Sequence, residues 1–294
     1  MSRPAPDGPP PLLAIGHVTR DEVAGEEGWR LGGSAFYAAA TAARLGAPAA
    51  LLTRVGPAER PALEAACGRL GIALRALPSN VTTTFVISER DGRRHLRLRA
   101  RARGIGLGDL PAELAAPSAA VFASVAHELD RSLFAGFPGA VRVLAAQGYL
   151  REWAADGSVG PRRWDGADGV IARLHALVVS EEDVAADPGG PSAWARRCPV
   201  VVTRAERGAL LLEGERSSHV PGHAPDRVVD PTGAGDAFAA ALALALAGGR
   251  GLEDAARFAS AAASFAVEGR GIEGLADRAR VEARLAGALG PQAT

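Results

Sequence analysis

The chain has 294 residues, 48% hydrophobic and 22% charged, enough apolar material for one large α/β domain with a substantial core. Thirty-three basic residues balance thirty-three acidic ones, which argues against attachment to nucleic acid or an anionic membrane by bulk charge. No lysine occurs, so a P-loop lysine, a protein-kinase phosphate lysine and Schiff-base catalysis are all excluded. The two cysteines, Cys67 and Cys198, stand far apart in no metal-binding or redox spacing, which favours a reducing, cytoplasmic setting. The opening MSRPAPDGPPP lacks an apolar segment and reads as a disordered tail over residues 1–11, not a signal peptide. The longest apolar run, Ala237 to Ala247, is too short to span a bilayer.

In chain order, Leu12 to Val18 reads as a buried strand ending in Gly16-His17. A polar stretch reaches Gly32-Gly33, and Ser34 to Leu45 reads as an alanine-rich helix closed by Gly46. Ala49 to Val55 is strand-like and Arg60 to Leu70 helical, the alternation that marks a parallel sheet with crossover helices. Thr82 to Ser88 and His95 to Arg103 then form two strands around the hairpin signal Glu89-Arg90-Asp91-Gly92. In the second strand Arg97, Arg99, Arg101 and Arg103 alternate with Leu98, Ala100 and Ala102, giving one charged face and one apolar face. A row of arginines of this kind reads as the solvated side of an edge strand, with a clamp for an anionic acceptor such as a sugar phosphate as the alternative.

Alternation resumes with strands at 119–125, 141–145, 177–180 and 200–203, and a meander is expected over 209–213, 219–220 and 227–229. Helices are predicted at 236–247, 252–267 and 277–289. One doubly wound α/β domain with a small β appendage accommodates this pattern.

The sharpest chemical signal is Asp230-Pro231-Thr232-Gly233-Ala234-Gly235-Asp236, a glycine-rich turn opening directly into a helix. Gly233 and Gly235 allow close backbone approach, and the free N–H groups of the first turn suit an anion, phosphate above all. Asp236 in that turn can take the proton of a hydroxyl as its oxygen attacks a phosphoryl group. The bland alternative is a capping carboxylate on a tight turn.

This segment, DPTGAGDAF, resembles the C-terminal signature of the ribokinase-like (PfkB) carbohydrate kinases. Gly16-His17-Val18-Thr19-Arg20-Asp21 resembles the family's opening strand, and Gly32-Gly33-Ser34 with its helix resembles its first signature. Val200 to Thr203 with Gly208 resembles its nucleotide-side strand, and Phe258 to Gly269 its adenine-side helix. The resemblance implies a single ribokinase-like kinase domain, a doubly wound, mostly parallel sheet with helices on both faces. A small β lid would be drawn from about 17–33 and 80–103.

By the same resemblance Asp236 is the catalytic base, with Gly233, Ala234 and Gly235 as the anion hole. Asp21, Gly32, Gly33 and Ser34 hold the acceptor. Thr203, Gly208, Thr232, Gly233, Gly235, Ala262 and Gly269 lie on the nucleotide side. ATP with Mg²⁺ is the implied donor, with room for a monovalent cation, and the lid is a candidate homodimer surface. The family's magnesium motif corresponds here to Ser180-Glu181-Glu182-Asp183, which makes Asp183 the first choice and Glu182 the second. The turn after the nucleotide-side strand, Thr203-Arg204-Ala205, lacks the family's glycine, and Ser34 replaces the asparagine of ribokinases.

Gln147-Gly148-Tyr149-Leu150-Arg151 resembles a segment of the inositol-kinase-like branch, as do Gly16-His17 and Val267-Glu268-Gly269. The implied acceptor is a cyclitol such as myo-inositol, or a sugar, with Gln147 and Arg151 near it. For Arg151 a surface salt bridge is the competing reading. A nucleoside kinase of the same fold and a non-catalytic sugar- or nucleotide-binding regulator are the rival functions.

Overall fold

The computed structural model describes residues 11–90 and 93–287. The expected tail before Pro11, the Asp91-Gly92 turn and the end of the last predicted helix lie outside the described residues. The elements in order are β1 (Leu12–Ile15), β2 (Thr19–Val23), β3 (Arg30–Gly32), α1 (Ser34–Arg44), β4 (Ala49–Val55), α2 (Arg60–Leu70), β5 (Ala73–Pro78), β6 (Thr83–Arg90) and β7 (Arg93–Ala100). They continue as β8 (Ala119–Ala123), β9 (Val141–Ala145), β10 (Arg151–Trp153), β11 (Val159–Pro161), α3 (Asp168–Ile171), β12 (Ala176–Ser180), α4 (Gly190–Trp194), β13 (Val200–Thr203), β14 (Ala209–Glu213) and β15 (Arg216–Val220). The chain closes with α5 (Ala234–Ala247), α6 (Leu252–Ala266) and α7 (Arg278–Leu285).

Runs such as LLAI and AAVFA are buried at every position, as strands covered on both faces must be. They build a nine-stranded sheet, ordered β15-β14-β13-β12-β9-β8-β1-β4-β5. Pairing from β13 through β5 is parallel, and β14 and β15 add antiparallel at one edge. One apolar layer, with α1, α5 and α6, covers the face carrying Leu12 and Ala14. The opposite layer, with Phe122, Phe134, Phe137, Trp164 and Trp194, covers Leu13 and Ile15. The chain leaves β1 toward β4 on one side and toward β8 on the other, so the strand order reverses there. Open α/β sheets bind ligands at the carboxyl ends of strands beside such a point.

A second sheet, ordered β3-β2-β6-β7, stands apart from the first. The hairpin β6–β7 was legible in the sequence; β2 and β3 were not, because TRDEV and RLG are polar or too short for a strand pattern. β5 was missed as well. The expected strand at 227–229 is instead extended loop, because the Val229 and Asp230 N–H groups both bond the Val267 carbonyl at the end of α6.

The two sheets are joined through a buried polar cluster just beyond β1. His17 Nε2 meets the Arg103 carbonyl at 2.8 Å, so this nitrogen is the donor, and Nδ1 accepts from the Thr83 hydroxyl at 2.7 Å. Thr83 Oγ1 in turn accepts from Ala102 N–H. Glu128 accepts from the N–H groups of His17, Val125 and Ala126 and from the Ser124 hydroxyl. Burial outweighs all else at His17 and pulls the imidazole below its ordinary value, which agrees with the neutral ring.

Candidate active site

Two helix N-termini converge beyond the strand ends. Gly33 caps α1 at φ 100°, and a Cβ there would sit 2.4 Å from the His17 carbonyl oxygen. Gly233 caps α5 in the left-handed region at φ 85°, and a Cβ there would sit 2.4 Å from the Tyr37 ring. Glycine is therefore required at both positions by conformation and by contact. The first main-chain bond of α5 runs from Ala237 N–H to the Gly233 carbonyl at 2.8 Å. The Gly235 and Asp236 N–H groups have no main-chain acceptor among the described residues, which leaves them for an anion. A side chain at Gly235 would meet open space within 4 Å. Upstream, Asp230 Oδ1 accepts from Thr232 N–H at 2.9 Å and sets the turn.

Asp236 is drawn into this convergence. The Ser34 hydroxyl bonds its carboxylate, Arg151 favours the charged form and Asp183 opposes it, yet burial dominates and pushes its pKa up to about 7. Asp21, on β2, is also pushed up by burial, against a hydrogen bond from Thr19 and the nearby charges of Arg94, Arg151 and Arg30. Its Oδ1 is buried without any hydrogen-bond partner, so the site holds an acceptor waiting for a donor. Gly32 permits this placement, because a Cβ there would lie 2.2 Å from Asp21 Oδ2.

Arg151 joins the same group: burial lowers its pKa, and Asp183, Arg94, Asp236 and Asp21 act on its charge. Among the described residues no carboxylate lies within ion-pair distance of it, which removes the salt-bridge reading. Asp183 Oδ2 accepts from Ser180 N–H at 3.0 Å, and Ser180 Oγ accepts from Asp183 N–H at 3.0 Å, a reciprocal turn at the end of β12. Glu182, the second choice for a metal, is exposed and plays no part in this group. Gln147 opens a short 3-10 turn after β9 and is half-buried.

Several nucleotide-side residues carry structural duties. Thr203 Oγ1 donates to the Val179 carbonyl at 3.3 Å. A Cβ on Gly208 would lie 2.1 Å from the Val220 carbonyl oxygen, and one on Gly269 would lie 2.6 Å from Gly274 N. Ala262, on α6, is 4% exposed and packs into the core. Ala205, where the family has glycine, keeps the left-handed backbone at φ 49°, a conformation that costs alanine about 1 kcal/mol.

Sequence reasoning did not assign Arg94, Arg30 or Tyr37 to the site. Arg94 belongs to no motif; its position follows from the pairing of β7 with β6. Tyr37 lies in the first turn of α1, three residues after Ser34, a spacing that puts both on one helix face.

The ribokinase-like fold is confirmed by comparison with solved structures. A pyrophosphate-dependent kinase in the ribokinase family, complexed with a pyrophosphate analog and myo-inositol, superposes with a TM-score of 0.78 at 20% identity. That match covers 92% of this chain and 99% of the other. Residues 193–277, which include the glycine turn, match the pfkB family carbohydrate kinases. Among curated relatives, bifunctional protein HldE of Geobacter sulfurreducens is 49% identical over 69 residues, 23% of this chain. The chain spans only 14% of that relative's length. Cytidine kinase of Thermococcus kodakarensis is 27% identical over 270 residues, covering 84% of this chain and 92% of the relative.

Proposed function

We propose that the protein transfers a phosphoryl group from a phosphate donor to a hydroxyl of a small polyhydroxylated acceptor, a cyclitol such as myo-inositol or a sugar. The observation that carries this reading is the pairing of Asp236, held near pKa 7 at the mouth of a helix N-terminus, with the unpartnered Asp21 oxygen across the cleft. Asp21 accepts one hydroxyl of the acceptor and so positions another at Asp236. The acceptor oxygen attacks phosphorus while Asp236 takes its proton. The bridging P–O bond breaks, and its electron pair stays on the departing phosphate. The Gly233–Gly235 turn holds the negative oxygens through fixed N–H groups, so little reorganisation is needed during transfer.

Magnesium arriving with the donor fits Asp183, since this ion keeps most of its waters and takes one or two carboxylates; it would neutralise donor charge. No cluster of three or more His, Cys, Asp or Glu residues suited to a metal occurs among the described residues. The β3-β2-β6-β7 sheet acts as the lid, keeping water from the phosphoryl group. The family resemblance favours ATP as donor; the pyrophosphate-dependent structural neighbour makes pyrophosphate the alternative to include. The cytidine kinase relative keeps nucleosides among the acceptors to test.

The deciding assay measures product formation from ATP or pyrophosphate with Mg²⁺ over myo-inositol, other cyclitols, ribose, fructose, hexose phosphates and nucleosides, with Asp236→Asn as control. Turnover on a polyol that the control lacks is the expected result. Reaction with nucleosides alone would keep the transfer chemistry and overturn the polyol assignment. Silence on every acceptor would overturn the kinase reading.

A further inference from the structure

The outer strand of the lid places a positive charge against the anion turn. Along β7 the outward positions hold Arg97 and Arg99, and the Arg99 guanidinium pairs with Glu22. Arg94 has the opposite parity. It shares its face with Leu96 and Leu98, which pack on the small apolar cluster of Phe85, Val125 and Ala126. Carried past that cluster, Arg94 Nη1 donates to Thr232 Oγ1 at 3.3 Å, one residue before Gly233. It also acts on the charges of Asp21, Tyr37 and Arg151. Glu89 stands opposite it in the β6–β7 ladder, yet no carboxylate among the described residues comes within ion-pair distance. At the other edge of the same sheet, Arg30 of β3 approaches Asp230 at 4.0 Å. The two edge strands thus reach the two ends of one turn.

We propose that Arg94 is a catalytic residue delivered by the lid. On closure its guanidinium meets the terminal phosphate of the donor at the Gly233–Gly235 turn. There it offsets the charge that builds on the phosphoryl oxygens during transfer. The assignment rests on the phosphotransfer reading above. Arg94 exchanges no proton: the hydroxyl proton goes to Asp236, the new O–P bond forms at the acceptor oxygen, and the electron pair of the broken P–O bond leaves with the donor remnant. A guanidinium suits the task because it stays charged and offers paired donors to phosphate oxygens. Its arrival with the lid ties the chemistry to closure.

The test compares Arg94→Ala, Arg94→Lys and, from the solvated face of the same strand, Arg99→Ala, using the acceptor that the panel identifies. Arg94→Ala is expected to lower kcat by about 10²–10³-fold, toward the lower end of what such arginines supply elsewhere. The KM for the acceptor should stay within about threefold, and added guanidinium ion should restore part of kcat. Arg94→Lys should fall between, and Arg99→Ala should stay close to the parent. An unchanged kcat, a loss confined to acceptor KM, or a kcat loss that neither guanidinium nor lysine repairs would each overturn the assignment. If no acceptor reacts with the parent protein, the phosphotransfer reading fails by itself. Calorimetry with magnesium tripolyphosphate then judges Arg94 separately. Binding weakened about tenfold by Arg94→Ala supports its phosphate contact, and equal affinity overturns it.

Discussion

A carboxyl that ionises near neutrality is poorly matched to a purely structural role and well matched to taking a proton from an alcohol. At Asp236 burial is the main cause, and the Ser34 hydrogen bond together with Arg151 keeps the carboxyl from rising further. The rate constant kcat/KM is therefore expected to climb with pH through about 7 and then level, because only the ionised form accepts the proton. A profile without a limb in that range would remove Asp236 as base. Asp236→Asn should cut turnover by at least ~10²-fold while leaving the fold intact by circular dichroism. Stability should move the other way. Because the folded carboxyl holds its proton more tightly than the unfolded one, stability falls as pH rises from about 4 to about 7. The asparagine variant escapes that loss. It should gain on the order of 1–4 kcal/mol over the parent at pH 8 and little at pH 4, as chemical denaturation at the two pH values would show.

At the level of single elements, the start of α5 depends on α1. The ring of Tyr37, 5% exposed, fills the space beside Gly233 that any side chain would need. Gly233→Ala therefore meets both a left-handed backbone and a ring. It should cost about 1–3 kcal/mol of stability and weaken phosphate-donor binding well beyond that of Gly235→Ala, where the space is open. Equal donor affinity in the two glycine variants would separate Tyr37 from the turn. The junction beyond β1 is a second such dependence. Glu128 is 1% exposed and both its oxygens accept backbone N–H groups, so either orientation of the amide in Glu128→Gln directs its N–H₂ at an N–H that cannot accept. A loss of about 2–4 kcal/mol is expected in urea unfolding, far above the effect of Glu113→Gln on an exposed 3-10 turn.

For the molecule as a whole, the β3-β2-β6-β7 sheet meets the rest at the small apolar cluster of Phe85, Val125 and Ala126 and at polar joints that include the His17–Thr83–Arg103 set, the Arg20–Glu59 pair and the Arg54 bond to the Gly104 carbonyl. Joints of this kind permit one sheet to move against the other while each stays intact. With donor and acceptor both bound, hydrogen exchange should slow by about tenfold or more in β3 and β7, the edges that reach the anion turn. It should hardly change in β1 and β8 at the centre of the large sheet. Exchange unaltered in β3 and β7 would mean that this sheet does not close.

The sequence by itself determined the alternating strand–helix body, because long apolar strands and well-spaced glycines impose local patterns that no neighbour has to supply. Ala49–Val55 and Arg60–Leu70 were readable to the residue, and the DPTGAGD segment singled out the residues proposed as base and anion turn. Only the tertiary structure decided the rest. β2 and β3 are strands because they pair with β6 and with each other, not because their residues alternate. Val228 and Val229, apolar enough for a strand, stay in a loop because Val267 takes the neighbouring N–H groups. The raised pKa of Asp236 comes from what surrounds it: Ser34, Arg151 and Asp183 come from three other parts of the chain, and burial and charge act through space. Arg94 shows the same limit most plainly. Its position over the turn depends on the parity of one strand and the placing of a whole sheet, and neither is written near it in the sequence.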